Sequence, residues 1–194
     1  MSQPELIYFA GKGKGQFVRN VLTYCKVDFK DTRMEKADEA LRLLSPYKQF
    51  PFYREGDFIL AQSMVIARYI AEQHNFAGKT PKERALAGEV VESTQDILLN
   101  FFLSKDNEEK LKKYNEETVP TFFSSWETKL VNGKGFAAQG DSYTYADLSI
   151  FTVIDQLKLQ DKLKSYPNVE KLFNHFLNHE IIGPYYKSLP ITPF

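Results

Sequence analysis

The chain has 194 residues, 43% of them hydrophobic, which is enough apolar material to bury the core of one domain or two small ones without disulfides. Its 25 basic and 25 acidic side chains balance, which argues against a partner chosen by net charge, such as nucleic acid or an anionic membrane. The single cysteine excludes an internal disulfide, and no stretch has the pattern of a secretion signal or a membrane span, so we expect a cytoplasmic protein.

The N-terminal part of the chain predicts alternating strands and helices. Apolar runs predict strands over residues 6–9, 27–34, 50–53 and 58–60, and helical spacing or helix formers predict helices over 17–25, 35–44 and 63–71. Glu55-Gly56-Asp57 is a turn signal that joins the last two strands. The order β-α-β followed by β-β-α is typical of a thioredoxin-like fold, an α/β arrangement with a mixed four-stranded sheet.

The remainder of the chain predicts helices only. Helical patterns cover residues 81–103, 107–130, 144–158 and 169–177, and the segment Thr144 to Asp147 has the spacing of a structural capping box. Between His74 and Arg84 no periodicity is sustained, which is typical of a linker. We therefore predict a thioredoxin-like domain over residues 1–73, a linker over 74–81 and an α-helical bundle domain over 82–194.

The cysteine and the histidines favour structural roles. Cys25 follows Phe17 and Val21 at helical spacing, so we expect a buried and unreactive thiol. His175 and His179 stand four residues apart, which is a metal-ligand spacing, but no cysteine or acidic partner completes a metal-binding motif. We therefore predict no metal site.

The segment Gly11 to Gly15 alternates glycine and lysine after the first strand. Such a loop could cradle a phosphate, but its spacing fits neither the P-loop, which ends in Gly-Lys-Ser/Thr, nor the dinucleotide-binding loop. Lys12 and Lys14, beside the start of a helix, could instead meet a carboxylate.

Gln62 and Ser63 stand where the fourth predicted strand gives way to a helix. Backbone amides and a hydroxyl at the positive end of a helix form a carboxylate site. A serine there is also an ordinary N-cap, and the local pattern alone favours the cap. Pro51 requires a sheet edge or a turn, and a cis bond before it would expose the backbone of Phe50.

Taken together, these features resemble the cytosolic glutathione transferases over nearly the whole chain. The segment Gln62 to Ala71, Gln-Ser-Met-Val-Ile-Ala-Arg-Tyr-Ile-Ala, is similar to the family's Gln-Ser-x-x-Ile-x-x-Tyr-Leu, and Pro51 precedes it at the family's distance. The run Leu6 to Phe9, the glycine and lysine loop and Arg19 are similar to the sigma class, which includes glutathione-dependent prostaglandin isomerases and lens crystallins.

The resemblance implies a catalytic tyrosine and a glutathione site. Tyr8 would donate a hydrogen bond to the glutathione sulfur and hold it as a thiolate, since a free thiol with a pKa of about 8.5 is mostly protonated at neutral pH. The family's glutathione-binding residues correspond to Tyr8, Lys14, Arg42, Gln49, Phe50, Pro51, Gln62 and Ser63, with Asp96 contributed by the partner subunit.

The roles follow the parts of glutathione. Phe50 and cis-Pro51 would hold the cysteinyl backbone, and Gln62 with Ser63 would hold the γ-glutamyl carboxylate. The candidates for the glycyl carboxylate are Lys14, Gln49 and Arg42. Asp96 would reach the γ-glutamyl amine across a homodimer interface, and the candidates for an apolar second-substrate pocket are Phe9, Leu98 and Leu103. From the residues alone, Tyr8 could be a half-buried strand aromatic, Arg19 could pair within its own domain and Asp96 could be a surface charge.

Three functions remain open at this point. The resemblance implies an enzyme that conjugates glutathione to small hydrophobic electrophiles, with glutathione as a co-substrate and no cofactor. The same thiolate could instead drive the isomerisation of prostaglandin-like lipids. A third possibility is a non-catalytic binder like the lens crystallins, against which the presence of Tyr8, Gln62 and Ser63 argues.

Overall fold

The structure, a computed structural model, describes residues 2–190. The chain folds into two compact units. Within the described chain, the first unit contains residues 2–76 together with 178–190, and the second contains residues 77–177. None of the described helices combines the length and the hydropathy that crossing a bilayer requires.

The first unit is built on a mixed sheet of four strands in the order β2-β1-β3-β4. The strands are β1 (Glu5–Phe9), β2 (Lys30–Met34), β3 (Phe52–Glu55) and β4 (Phe58–Ala61). β1 runs parallel to β2, with Tyr8 opposite Arg33, and antiparallel to β3, with Ile7 opposite Phe52. This topology confirms the predicted thioredoxin-like sheet.

The strand predicted over residues 50–53 includes Pro51, but in the structure Pro51 lies outside the strand. The Phe50–Pro51 peptide bond is cis, and β3 begins at Phe52. Because proline has no N–H to donate to a ladder, the strand begins after it. The residue therefore belongs to the turn that enters the sheet.

Helices cover the sheet of the first unit. They are α1 (Gly15–Tyr24), α2 (Glu39–Leu44) and α3 (Ser63–Gln73), followed much later in the chain by α9 (Ile182–Ser188). The apolar faces of α1 and α3 pack together, and Ile7, Phe52 and Met34 form a core on the sheet. α2 begins four residues later than predicted because the Asp38 carboxylate accepts a hydrogen bond from the Leu41 N–H and caps the helix there.

The second unit is helical throughout its regular structure, as predicted. Its α-helices are α4 (Pro81–Ser104), α5 (Glu108–Lys113), α6 (Val119–Asn132), α7 (Tyr145–Gln156) and α8 (Pro167–Leu177), with a 3-10 helix over Gln160–Ser165. The single helix predicted over 107–130 is interrupted by a π-helical turn, Tyr114–Thr118. Pro120, the second residue of α6, has no N–H to donate to a carbonyl of this turn, so the α-helical hydrogen bonding is broken across it.

The helix α7 is buried along nearly its whole length. The predicted capping box is present, since Thr144 caps the helix and the Asp147 carboxylate accepts the Thr144 N–H at 2.8 Å. Asp147 also accepts the Ala137 N–H at 2.8 Å. Burial raises the pKa of Asp147 to about 6 although these N–H groups oppose the shift.

The end of the chain differs from the predicted domain boundaries. The helical domain predicted over 82–194 includes α9, whereas α9 packs on α1 and belongs with the first unit. One physical reason is a set of hydrogen bonds, because buried side-chain amides of α1 donate to hydroxyl oxygens of α9. Residues 191–194 lie outside the described residues.

Cys25 lies just past the end of α1 and is half-buried. Burial raises the pKa of its thiol to about 12, so the thiol stays protonated at neutral pH. His175 stacks on the Tyr143 ring with centroids 4.1 Å apart, and His179 lies in the other unit against Tyr24. Through residues 2–190, no three His, Cys, Asp or Glu side chains are grouped as a metal site would need.

Candidate functional site

Tyr8 lies near the end of β1, a central strand of the sheet, shortly before the glycine and lysine loop. Its ring is half-buried, and its hydroxyl oxygen accepts a hydrogen bond from the Lys14 backbone N–H at 2.9 Å. A phenol oxygen that accepts one bond still has its own hydrogen to donate. The loop therefore fixes the hydroxyl and leaves its proton available to a ligand.

Two glycines of the loop make this contact possible. A Cβ on Gly13 would lie 2.3 Å from the Tyr8 hydroxyl oxygen, and a Cβ on Gly15 would lie 2.3 Å from Cδ1 of the same ring. Gly13 also has a φ of +35°, which side chains with a Cβ rarely adopt. The glycines thus seat the tyrosine ring, whereas the sequence pattern indicated only a phosphate or carboxylate contact for this loop.

Arg19 donates hydrogen bonds to backbone carbonyls at the start of the loop. It is fully buried, and its Nε lies 3.0 Å from both carboxylate oxygens of Asp31. The two terminal nitrogens donate to the carbonyls of Gly11 and Phe9, each at 2.9 Å, and the guanidinium lies 5.7 Å from the centre of the Tyr8 ring. Arg19 therefore pairs within its own unit, as the pattern of the residues alone suggested.

A pocket beside this loop brings together residues from three separate segments. It is lined by the predicted site residues Lys14, Gln49, Phe50, Pro51, Gln62 and Ser63 and by Ala61, the last residue of β4. Ala61 was not foreseen, because a small apolar residue at the end of a strand carries no chemical signal. Lys14 connects the two features, since its backbone binds Tyr8 and the residue also lines the pocket.

The start of α3 forms the polar wall of the pocket. Gln62 is the N-cap and has φ 72° and ψ 108°, a strained conformation for a residue with a side chain. No side chain caps the helix, so Ser63 is not the N-cap that the local pattern favoured. Within residues 2–190, the Ser63 hydroxyl has no hydrogen-bond partner, and no acidic residue stands in the first turn of α3. This positive helix end therefore offers unused donors to an anion.

The other predicted residues lie elsewhere. Arg42 is outside the pocket residues and forms a two-pronged ion pair with Glu39, at 2.6 and 2.7 Å. Phe9 is half-buried, with its ring 5.6 Å from that of Phe50. Asp96, Leu98 and Leu103 all lie on α4 in the second unit, where Asp96 and Leu103 are exposed and Leu98 is buried.

Comparison with known proteins identifies the family. The model for the glutathione S-transferase N-terminal domain matches residues 4–72, and the model for the glutathione S-transferase C-terminal domain matches residues 93–189. The chain is 36% identical over 201 residues to the predicted glutathione S-transferase alpha-2 of Dictyostelium discoideum, covering 100% of this chain and 98% of the relative. It is 31% identical over 152 residues to hematopoietic prostaglandin D synthase of Gallus gallus, covering 76% of this chain and 75% of the relative.

A solved structure supports the same assignment. A monomeric glutathione S-transferase of Necator americanus aligns with a TM-score of 0.86 at 25% identity, covering 99% of this chain and 100% of that chain. The likeness thus extends over both units, and the two family models together span most of the chain. The chain belongs to the glutathione S-transferase family and is an enzyme of that family.

Proposed function

We propose that this enzyme conjugates the thiolate of glutathione to electrophilic small molecules and that Tyr8 activates the sulfur. The observation that carries this proposal is the hydrogen bond from the Lys14 N–H to the Tyr8 oxygen, which leaves the phenol proton to be donated outward. A donated hydrogen bond favours the anionic form of a thiol, so the glutathione proton leaves to solvent. The sulfur lone pair then attacks the electrophilic carbon, and in a substitution the leaving group departs with its bonding electrons.

The pocket beside Tyr8 is the proposed site for the peptide of glutathione. The backbone of Phe50 before Pro51 would bind the cysteinyl part, in the manner of an added strand. The γ-glutamyl carboxylate would bind at the start of α3, where the Ser63 hydroxyl and the first-turn amides are available. Burial of Ser63, which is 7% exposed, strengthens a hydrogen bond to an anion there.

The glycyl carboxylate would be bound by Lys14 and Gln49, which both line the pocket. Arg42, the third candidate, is less suited because its guanidinium already forms two hydrogen bonds with the Glu39 carboxylate. Asp96 would complete the site of a neighbouring subunit, as the resemblance implies. This assignment requires a homodimer, whereas the related protein of Necator americanus is described as monomeric.

The class and the cellular role are part of the proposal. The similarity of the Tyr8 strand, the basic loop and Arg19 supports a sigma-like class, as does the relationship to hematopoietic prostaglandin D synthase. We place the enzyme in the cytoplasm, in the detoxification of small hydrophobic electrophiles.

A second candidate function is isomerisation of prostaglandin-like lipids. The prostaglandin D synthase relative favours it, with 31% identity over 76% of this chain. In such a reaction the same thiolate attacks an endoperoxide oxygen, so that an S–O bond forms as the O–O bond breaks and the other oxygen takes up a proton. Loss of a proton from the carbon that bears the attacked oxygen then forms a C=O bond, breaks the S–O bond and releases the thiolate. The residues of the glutathione pocket serve both reactions equally, so the choice depends on the second substrate.

Two assays separate these functions. The purified chain is passed over immobilised glutathione, and the eluted protein is tested with an aryl halide and, in parallel, with a prostaglandin endoperoxide. Retention with release of halide supports conjugation, and formation of a rearranged prostaglandin without a glutathione adduct supports isomerisation. Retention without either product would leave only the non-catalytic binder.

A further inference from the structure

Two amide side chains near the start of α1 are buried and bonded to each other. Gln16 is 1% exposed and Asn20 is 0% exposed, and the Gln16 Nε2 donates to the Asn20 Oδ1 at 2.8 Å. Each amide has further hydrogen-bonding capacity, and leaving a buried amide without partners carries a desolvation penalty. Their position therefore depends on which groups supply the remaining bonds.

Two tyrosines of α9 are further partners of these amides. The Gln16 Nε2 also donates to the Tyr185 hydroxyl oxygen at 3.3 Å, and the Asn20 Nδ2 donates to the Tyr186 hydroxyl oxygen at 2.7 Å. Burial raises the pKa of Tyr185, so its hydroxyl remains neutral. A segment more than 160 residues away along the chain thus takes part in the polar network of α1.

The same network reaches the loop that seats Tyr8. The Gln16 backbone N–H donates to the Lys12 carbonyl at 2.8 Å, which closes the loop against α1. The Lys12 ammonium lies 5.9 Å from the centre of the Tyr186 ring. α9 therefore contacts both ends of the stretch from Lys12 to Gln16, which contains the two seating glycines.

Small movements of this stretch matter for the Tyr8 hydroxyl. The Lys14 backbone nitrogen lies 2.9 Å from the Tyr8 hydroxyl oxygen in the hydrogen bond that joins them. Hydrogen bonds weaken steeply as their geometry departs from the optimum. Gly13 and Gly15 approach the ring so closely that neither has room for a Cβ. Because the packing is this close, the Tyr8 ring cannot shift without the loop, and contacts that hold the loop in place also hold the ring.

We propose that Tyr185 and Tyr186 are positioning residues for Tyr8, acting through Gln16, Asn20 and the loop. Their hydroxyl groups would hold the loop in the geometry in which the Tyr8 proton points at the glutathione sulfur. Neither tyrosine is assigned a contact with a substrate. The inference rests on the proposed role of Tyr8 in activating glutathione.

The test removes only the two hydroxyl oxygens, in the variant Tyr185→Phe/Tyr186→Phe. We expect kcat to fall about three- to tenfold, the size of effect that loss of one neutral hydrogen bond from an aligned state produces. The glutathione KM should change less than kcat, because Ser63 and its neighbours remain in place and only Lys14 of the pocket lies in the affected stretch. The apparent pKa of the bound thiol should rise, measured as thiolate absorbance in the ultraviolet across a pH series.

The matched control is Tyr166→Phe, which removes a phenol oxygen in the second unit, where it lies 3.5 Å from the Pro120 carbonyl. This variant should keep the kcat and the thiol pKa of the parent enzyme. The single variants Tyr185→Phe and Tyr186→Phe are measured as well, so that the test stands even if the double variant does not fold. Circular dichroism establishes which variants are folded.

Combination with Tyr8→Phe decides whether the two tyrosines act through Tyr8. In that background, removing both hydroxyls should lower kcat no further. An equal fall in both backgrounds would overturn the proposal, as would unchanged kcat and thiol pKa in folded variants that retain Tyr8. If Tyr8→Phe alone leaves kcat and the thiol pKa intact, the proposed function itself fails, so the two failures are distinguished.

Discussion

The Lys14 backbone N–H lies 2.9 Å from the Tyr8 hydroxyl oxygen and donates a hydrogen bond to it. The two residues are separated by a loop whose glycines allow the backbone to pass directly against the aromatic ring. A backbone donor stabilises partial negative charge on the phenol oxygen, which makes the phenol a stronger donor in turn. The conformation of this loop therefore affects how strongly the Tyr8 hydroxyl donates a hydrogen bond.

Replacing Tyr8 with phenylalanine keeps the ring and deletes the donor. Loss of a preorganised donor to an oxyanion costs about 2.7 to 4 kcal/mol, and the softer sulfur anion should be affected less, so we expect kcat to fall roughly ten- to a hundredfold. Glutathione affinity should change little. The thiolate absorbance that appears on mixing with glutathione should diminish, and unchanged turnover and absorbance would assign sulfur activation to another group, such as Lys14.

The variant Gly13→Ala tests whether the close contact between Gly13 and Tyr8 positions the tyrosine. The added Cβ would fall 2.3 Å from the Tyr8 oxygen and must displace either the ring or the loop, so kcat should fall toward that of Tyr8→Phe. Gly135→Ala is the matched control, because Gly135 also has a positive φ, of 103°, but its Cβ would meet nothing within 4 Å. It should lose about 1–2 kcal/mol of stability from backbone strain and keep its activity. Equal loss of kcat in the two variants would refute the seating role.

Much of the first unit follows from short-range sequence patterns. The strand at Leu6 and the helix after Gln62 have clear periodicity and turn signals, and six of the residues named for the glutathione site line one pocket. Of these residues, Gln62 and Ser63 stand in the segment that resembles the family's motif, and Pro51 precedes that segment at the family's distance. The sequence could also have indicated the break near Pro120, because a proline inside a helical pattern interrupts its hydrogen bonding.

Other features depend on contacts between distant parts of the chain. The packing of Gly13 on Tyr8 requires the loop to fold back over its own strand, and the bonds from Gln16 and Asn20 to α9 join segments at opposite ends of the chain. Arg42 pairs with Glu39, three residues before it on a short helix, and does not line the pocket. Periodicity reports which face of a helix is apolar, but it does not report which polar partner a side chain selects.

Ser63→Ala tests the carboxylate site at the start of α3. The hydroxyl would bind glutathione equally in the ground state and the transition state, so its removal should raise the glutathione KM and leave kcat unchanged. A hydrogen bond to a charged group contributes about 1.5–3 kcal/mol, which corresponds to a KM increase of roughly tenfold or more. Thr80→Ala is the control, since Thr80 is a true N-cap that accepts the Glu83 N–H at 3.1 Å. It should lower the melting temperature without changing KM.

The proposed role of Asp96 can be tested by complementation between subunits. In a homodimer with shared sites, Tyr8→Phe and Asp96→Asn subunits mixed together would form heterodimers in which one site keeps both native groups. Random mixing of equal amounts should then restore about a quarter of the parent activity at low glutathione. Light scattering gives the oligomeric state in parallel. A fully active monomer of 22.4 kDa would refute the shared site.

The last prediction concerns acid stability and Glu5, at the start of β1. Burial by itself would raise the pKa of Glu5, but hydrogen bonds from Thr32, Arg54 and Lys30 outweigh it and lower the pKa to about 2. The Thr32 hydroxyl donates at 2.5 Å and the Lys30 ammonium lies 3.0 Å away, while Arg54 bonds to the other carboxylate oxygen. These bonds tie the strands on both sides of β1 to one carboxylate.

A lowered pKa in the folded state means that the unfolded chain binds the proton more readily. The stabilisation from Glu5 is therefore fully present above about pH 4.5, the value for an unperturbed carboxyl, and is lost as the pH falls toward 2. We expect this carboxylate to contribute about 1–3 kcal/mol. Glu5→Gln should lower the unfolding free energy at pH 7 and flatten its dependence on pH between 4.5 and 2, measured by urea denaturation. The exposed Glu108→Gln is the control and should leave that slope unchanged; an equal slope for Glu5→Gln and the parent would show that the network does not stabilise the charged form.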